Sequence, residues 1–313
     1  MNKAFLLLCG LVVFSSCAKE KKSREAGLKM QDFVINISSY ARSIDPDFII
    51  VPQNGTELAF TEVDAENSLN QEYLSAIDGL GVEELFYNGS YSLDQYRLDM
   101  LRQIVATKKI LVSEYVDYSS YVAHAFEYNY DEGFICFART YYNYNYTLIP
   151  DTIPFENADN ITSLSQAKNY LYIINANEYS TKQSFIDAID ATNYDVIIMD
   201  LFYNDTPYSI SEINQLKTKA NGAQRLVIAY MNIGSAENFR YYWQDGWKLH
   251  NPDWIKKKYV GYDDEFWVEY WNQDWQDIIF GNENSYTKRI INAGFDGAYL
   301  DNVEAYYFLY YRN

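Results

Sequence analysis

Apolar positions along the chain fall into two alternating rhythms. Phe33, Val34, Ile37, Tyr40, Ala41 and Ile44 recur at helical spacing, and Phe48-Ile-Ile-Val51 follows as a short run that is apolar throughout. The first predicts a helix with one buried face, the second a strand covered on both sides. The alternation continues with a helix from Ser68 to Ile77, opened by Ser68 and Gln71 at capping-box spacing and stopped near Gly79. A strand around Leu85-Phe86-Tyr87, a helix opened by Ser92 and Gln95 through Ile104, and a strand at Ile110-Leu-Val112 come next. In the second half, strands are predicted at Tyr170 to Ile174, Val196 to Met199, Leu226 to Met231, Val268 to Trp271 and Ala298 to Leu300. Helices open there at Ser180 with Gln183 and at Ser209 with Glu212, and a last one runs up to Gly294. Strand–helix alternation implies a parallel sheet with crossover helices, and about eight such strands close a (β/α)8 TIM barrel, so the expected class is α/β. Gly133 to Arg139 reads as an extra strand beside it. Tyr141 to Ser165 keeps no period, alternates Tyr with Asn and carries two prolines; it reads as a linker or surface insertion.

The beginning follows a different logic. Lys3, the apolar run Ala4 to Phe14, then Ser15 and Ser16 have the order of a secretory signal peptide. Cys17 directly afterwards fits a bacterial lipobox, which makes residues 1–16 the signal and Cys17 the lipidated residue. Residues 17–27 are mostly charged and are expected to form a flexible tether, leaving 28–313 as a single barrel. No other stretch is long and apolar enough to span a membrane. The expected location is the bacterial cell envelope, with lipid anchoring to the outer membrane as the sole membrane contact, for a monomer.

Composition narrows the chemistry. A formal net charge of −18 would repel phosphate backbones and excludes nucleic acid as a partner. Only His124 and His250 are present, which disfavours a histidine-rich zinc site or a Ser-His-Asp triad. Cys136 is the one cysteine beyond Cys9 and Cys17, so no intrachain disulfide is expected. Neither a P-loop nor a GxGxxG run occurs, and no metal or cofactor is expected. The 32 tyrosines offer flat apolar faces with polar edges, suited to sugar rings.

In a barrel, function gathers at the C-terminal ends of the strands. Gln53-Asn54, Glu83, Glu114-Tyr115, Asn175, Asn177, Asp200, Asn232 with Glu237, Tyr270-Trp271 and Asp301-Asn302 occupy such places. Several carboxylates and aromatics with almost no histidine is the inventory of glycoside hydrolysis. There, one carboxylic acid protonates the leaving oxygen while a second carboxylate attacks or activates water.

Three stretches are especially distinctive: Val227-Ile-Ala-Tyr-Met-Asn-Ile-Gly-Ser-Ala-Glu-Asn-Phe-Arg-Tyr-Tyr-Trp243, Val268-Glu-Tyr-Trp271 with Trp275, and Gly294-Phe-Asp-Gly-Ala-Tyr-Leu-Asp-Asn-Val-Glu-Ala305. They resemble the barrel of glycoside hydrolase family 114, which includes endo-α-1,4-polygalactosaminidases. Asp47 to Gly55, Ile77 to Tyr87 and Ile110 to Tyr115 are similar to further segments of that family. The resemblance implies cleavage of an α-linked amino-sugar polysaccharide of galactosaminogalactan type, with Asp301 and Glu83 as the catalytic pair. Asp301 would be the nucleophile or charge-stabilising carboxylate and Glu83 the general acid/base, with Glu84 as the alternative if the strand slips by one residue. Asp200, Tyr230, Glu237, Tyr270, Trp271, Gln53, Asn54, Glu114 and Asn302 would contact substrate, and Asp296 would hold the turn at Gly294. The early segments come late in the family pattern, so the resemblance implies a circular permutation with Tyr141 to Ser165 joining the old ends. The chain departs from the family at Ser235, where a glutamate is common. A degenerate barrel that binds carbohydrate without cleaving it is the alternative.

Overall fold

The computed structural model describes the backbone of residues 4–311 and the side chains of residues 18–311. Helix α1 spans Ala4–Ile44. Ala26, Met30, Phe33, Val34, Ile37 and Ala41 are buried along one stripe, at the three- and four-residue steps of a helix face. Polar groups on that stripe find carbonyls: Gln31 Nε2 donates to Leu58 and Phe60 at 2.7 and 2.8 Å, and Ser38 Oγ donates to Ala76 at 2.7 Å. The helix continues through the segment expected to be a flexible tether. Ser23 Oγ donates to the Tyr306 carbonyl at 3.0 Å and Ala26 is buried. The charges there stand four apart, Glu20 with Arg24 and Lys21 with Glu25, a spacing that supports a helix. The signal segment 1–16 and the lipidation expected at Cys17 lie outside the residues whose side chains are described. No helix among the described residues is long and apolar enough to cross a membrane.

Eight parallel strands carry the core: β1 Ile49–Pro52, β2 Gly79–Tyr91, β3 Lys109–Val116, β4 Ile135–Thr140, β5 Tyr170–Ile173, β6 Val196–Asp200, β7 Leu226–Asn232 and β8 Gly297–Asp301. They form a five-stranded sheet in the order β1-β8-β7-β6-β5 and a three-stranded sheet in the order β2-β3-β4. At one junction Gln53, just past β1, bridges Gly81 of β2 in parallel, and the Asn54 amide donates to the Gly81 carbonyl at 2.7 Å. At the other, the Phe137 ring of β4 lies 6.0 Å from Tyr170 of β5. Consecutive strand residues are buried (all four of β1 and β5, all seven of β7), because crossover helices cover the outer side while side chains fill the inner one. The helices are α2 Gln71–Ala76, α3 Gln95–Ile104, α4 Val122–Asp131, α5 Lys182–Asp190, α6 Ile210–Leu216, α7 Gln273–Ile279, α8 Tyr286–Ala293 and α9 Ala305–Phe308.

Two strand expectations change places. Ile135–Thr140, read as an accessory, pairs in parallel with β3 and belongs to the sheet. The strand expected at Val268 to Trp271 is instead Glu265–Val268, which pairs antiparallel with Ser235–Glu237 and Ile255–Lys258 in a separate flap. An apolar run does not declare the direction of its partner. The helix starts shift in the same way. Asn70, Asp94 and Thr181 cap α2, α3 and α5 in place of Ser68, Ser92 and Ser180, each accepting a backbone N–H two or three residues on. Ser209 with Glu212 forms the expected capping box of α6.

The connection from β4 to β5 contains no α-helix, only single 3₁₀ turns at Tyr141–Asn143 and Leu164–Gln166. It is nevertheless pinned. Lys219 and Asp195 pair at 2.6 Å with no exposure, and Lys219 Nζ also donates to the Asp159 carbonyl at 2.9 Å. Asn157 Nδ2 reaches both Asp195 oxygens at 3.2 Å.

Candidate active site

A Cβ placed on Gly81 of β2 would fall 1.9 Å from the hydroxyl of Tyr299 on β8. Gly81 is therefore a glycine because the Tyr299 ring crosses β1 and occupies its side-chain space. Side chains two residues apart on a strand share a face. Glu83 accordingly stands one layer beyond Gly81, and Asp301 one layer beyond Tyr299, on the same inner side and toward the same strand ends. Two acids from opposite halves of the chain are thus brought to one place by a tyrosine–glycine contact beneath them. Tyr172 completes this floor, edge-on to Tyr299 at 5.3 Å and donating from its hydroxyl to Gln53 Oε1 at 2.8 Å.

The end of β2 is shaped to present Glu83. The register with β3 holds to Glu83 opposite Ser113, breaks, and resumes at Asn88. Glu84 within the break has φ 56°, a conformation that costs a non-glycine residue of order 1 kcal/mol and tends to occur at functional sites. Arg97 of α3 clamps it, donating to the Glu83 and Glu84 carbonyls at 2.8 Å each. Glu114, expected to contact substrate, is fully buried beneath the same break. Its two oxygens accept the Phe86 and Tyr87 amides at 3.0 Å, and Asn129 Nδ2 donates to it at 2.9 Å. It holds backbone, because a carboxylate can take up two amides that the interrupted ladder leaves without partners.

Around the pair, hydrogen bonds fix each carboxyl. Asp301 Oδ2 accepts the Tyr230 hydroxyl at 2.5 Å and Oδ1 accepts the Asn302 amide at 2.8 Å. Glu83 Oε1 accepts the Tyr146 hydroxyl, and the Arg139 guanidinium lies 3.9 Å from the same oxygen while pairing with Glu84 at 3.0 Å. Arg139 is itself buried and stacks over Tyr146 at 4.6 Å. The Glu83 amide donates to Asn54 Oδ1 at 3.0 Å.

These residues border a cleft of about 2020 Å³. Of the expected positions, Gln53, Asn54, Glu83, Asp200, Tyr230, Glu237, Asp301 and Asn302 face it. Asp200 and Glu237 are joined there by Arg240, whose Nη1 donates to both Asp200 oxygens at 2.9 and 2.7 Å and whose Nε donates to Glu237 at 2.7 Å. Tyr270 and Trp271 lie elsewhere. Tyr270 is buried, stacked on Phe33 and donating to the Ala26 carbonyl at 2.5 Å, while Lys29 sits 4.2 Å over the Trp271 ring. The chain leaves its antiparallel strand at Val268 and turns both rings onto α1, away from the cleft. Asp296 is structural: it accepts the Val227 amide at 2.8 Å and pairs with Lys217 at 2.7 Å. Tyr146, Arg139, Glu265 and Glu304 line the cleft without having been singled out in the sequence. Among the described residues, no group of three His, Cys, Asp or Glu side chains is placed to hold a metal ion.

Burial dominates the electrostatics. It raises the Asp301 carboxyl to about 7, helped by the charge of Glu83 and opposed by the bonds from Tyr230 and Asn302. Glu265 and Glu304 are pushed up to about 8, again chiefly by burial. Burial also raises Glu237 against the pull of Arg240, and Glu84 against that of Arg139. Each of these acids binds its proton more tightly in the fold than in the unfolded chain, so native stability declines as pH rises between the two values. We expect the melting temperature to be highest in mildly acidic buffer and to fall steadily from about pH 5 to about pH 8. Calorimetric scans across that window check it, and a flat profile would show that these acids are not held protonated.

The family model for glycoside-hydrolase family GH114 matches residues 152–313, just over half of the chain. The chain is also similar to the uncharacterized protein MJ1477 of Methanocaldococcus jannaschii, at 33% identity over 176 residues, covering 55% of this chain and 48% of that one. An uncharacterized protein of Deinococcus radiodurans is 34% identical over 125 residues, 40% of this chain and 38% of its own. An uncharacterized protein of Thermotoga maritima is 28% identical over 118 residues, 38% and 35% of the two chains. The chain thus spans about half or less of the length of these relatives. Together with the carboxylate-lined cleft, the match identifies the chain as a member of glycoside-hydrolase family GH114.

Proposed function

We propose that the chain hydrolyses an α-linked, amino-sugar-containing polysaccharide outside the cell, with Asp301 and Glu83 as its catalytic pair. The observation that carries this reading is their placement one layer above the Tyr299–Gly81 contact, each within reach of a tyrosine hydroxyl. Both oxygens of Asp301 accept fixed donors, which suits a carboxylate aimed at an anomeric carbon. The donors on Glu83 converge on Oε1, which leaves Oε2 to carry a proton to the leaving oxygen. With Asp301 raised to about 7, the pair as a unit retains one proton near neutrality; in the empty cleft burial favours it on Asp301, and cleavage requires it to pass to the acid that faces the leaving oxygen. Glu83 protonates the glycosidic oxygen as the C–O bond breaks, Asp301 attacks or stabilises the cationic carbon, and water completes the hydrolysis.

Ten Asp and Glu side chains line the cleft against three Arg, a field that gathers cations such as free amino groups. A volume of about 2020 Å³ exceeds the roughly 300–1,000 Å³ typical of a small-molecule site and suits a polymer. We read the two sheets as one closed barrel, joined at the Gln53–Gly81 bridge and at the Phe137–Tyr170 contact. The barrel is circularly permuted, and the family match beginning at residue 152, inside the long β4–β5 connection, supports that order. The protein is a monomer held to the outer membrane of a bacterial envelope through Cys17, on the strength of the charged, apolar and small residues that precede it. Labelled fatty acid that Cys17→Ser fails to incorporate is the check on the anchor.

The test of function is incubation with a panel of amino-sugar polymers, reading new reducing ends. We expect release from a partly deacetylated α-1,4-linked galactosaminan. Retention of glycan with no reducing ends would reject hydrolysis in favour of a non-catalytic carbohydrate-binding protein.

Tyr146 belongs to the segment expected to be a passive connection, yet it reaches Glu83 and Ser113. It is a positioning residue. Tyr146→Phe should lower kcat about ten-fold, the worth of one charge-assisted hydrogen bond, with little change in KM. A change in KM alone would assign Tyr146 to substrate binding instead.

A further inference from the structure

Glu265 projects from the antiparallel flap into the cleft that holds Asp301 and Glu83. Three donors converge on its Oε1: the Ser235 hydroxyl, Asn232 Nδ2 at 2.8 Å and Asn302 Nδ2 at 2.8 Å. These come from three different elements, the end of β7, the Ser235–Glu237 strand and the residue following Asp301. The side chain is therefore held as part of the site's architecture.

The charges around it are of one sign. Glu237 on the neighbouring flap strand and Asp301 at the end of β8 both act on it, and the phenols of Tyr230, Tyr259 and Tyr262 face it from β7 and from the flap. Arg240, on the same rim, is already paired with Asp200 and Glu237. A half-buried acid with carboxylates for neighbours and, among the described residues, no cation engaging it favours its neutral form, because desolvation and like charge outweigh the opposing bonds from Ser235 and Asn232. Oε1 is occupied as an acceptor, so the acid proton resides on Oε2.

We propose that Glu265 is a substrate-binding residue that presents this O–H to an uncharged hydrogen-bond acceptor on the glycan, the carbonyl of an N-acetyl group. The proposal rests on the amino-sugar reading above and deepens it. The wider acidic cleft gathers free amines, but the subsite beneath Glu265 offers a donor without a charge. An acetamido carbonyl accepts the Oε2 proton directly, whereas an ammonium has no lone pair to receive it. The site is thereby matched to a polymer that is only partly deacetylated, with an acetylated residue at this one position.

The test has two arms, and either can overturn the proposal by itself. First, carboxyl carbon-13 NMR of the wild type and of Glu265→Gln assigns the Glu265 resonance by difference. Burial pushes this group up to about 8, so we expect it to be protonated at pH 6.5. A charged Glu265 at that pH overturns the proposal, whether or not the protein cleaves any glycan. Second, binding of fully N-acetylated and fully deacetylated galactosamine oligomers is measured by calorimetry in the non-cleaving Asp301→Asn background. Adding Glu265→Met, which has no donor, should weaken the acetylated oligomer about five- to ten-fold and leave the deacetylated one little changed, while Glu265→Gln, whose amide still donates, should keep the preference. Melting curves confirm that both variants fold. Binding indifferent to Glu265→Met sinks this contact alone. No binding of either oligomer sinks the amino-sugar reading, and the contact with it.

Discussion

Asp301→Asn should cleave polysaccharide at least about a thousand-fold more slowly than the wild type while melting no earlier. The amide has the size of the acid and preserves its surroundings. Its oxygen can accept the Asn302 amide, and the Tyr230 hydroxyl can turn from donor to acceptor for the new NH₂. What is lost is the negative charge that meets the anomeric carbon. Stability should move the other way, because Asp301 is buried beside Glu83 and the fold works against its ionisation as pH climbs through about 7. The variant's melting temperature should therefore gain on the wild type between about pH 4 and about pH 7. Reducing-end rates and calorimetric scans on the same preparations give both numbers. Loss of activity together with an early melt would mean that Asp301 is structural, and unchanged activity would remove it from the mechanism.

Glu83→Gln should reduce cleavage of the natural polymer by about a hundred- to ten-thousand-fold, the span typical of a lost general acid. The loss should shrink on an aryl glycoside, whose leaving group departs without a proton. Glu83 also acts on its neighbour, since its charge is the second cause, after burial, of the raised Asp301 carboxyl. Removing that charge should lower Asp301 and shift its limb of the pH–rate profile toward acid. Parallel rate profiles on polymer and aryl glycoside separate the possibilities. An equal loss on both substrates, with the Asp301 limb unmoved, would show that Glu83 neither delivers the proton nor senses Asp301.

Much of the framework was legible from residue order. The stripe from Met30 to Ala41 and the unbroken apolar runs of β1, β3, β6 and β7 announce themselves, because burial on one face or on two leaves different periodicities. Helix starts were less secure, since Asn70, Asp94 and Thr181 lie within two residues of equally plausible serines and only the fold chooses among them. Ile135–Thr140 and Glu265–Val268 exchanged roles for a related reason: pairing direction is decided by where the chain returns. Within the site, Asp301, Glu83, Asp200, Tyr230 and Glu237 could be named from strand-end positions and family resemblance, and the cleft gathers them. Glu114 and Tyr270 stand at equally promising places in the sequence, but their side chains turn to backbone groups of β2 and α1. Tyr146 gave no signal. It lies in an aperiodic Tyr/Asn stretch, and its importance comes from a fold-back that local pattern does not encode. Glu265 was hidden in the same way, inside the charged run Asp263-Asp-Glu-Phe266, which reads as a solvated turn.

The most direct measurement is a crystal structure of Asp301→Asn bound to an amino-sugar oligosaccharide longer than the cleft. A glycosidic oxygen within hydrogen-bonding reach of Glu83, with the anomeric carbon of the same linkage turned toward residue 301, is the predicted result. An oligosaccharide lodged on the exposed tyrosines, with no linkage lying between those two positions, would contradict the account.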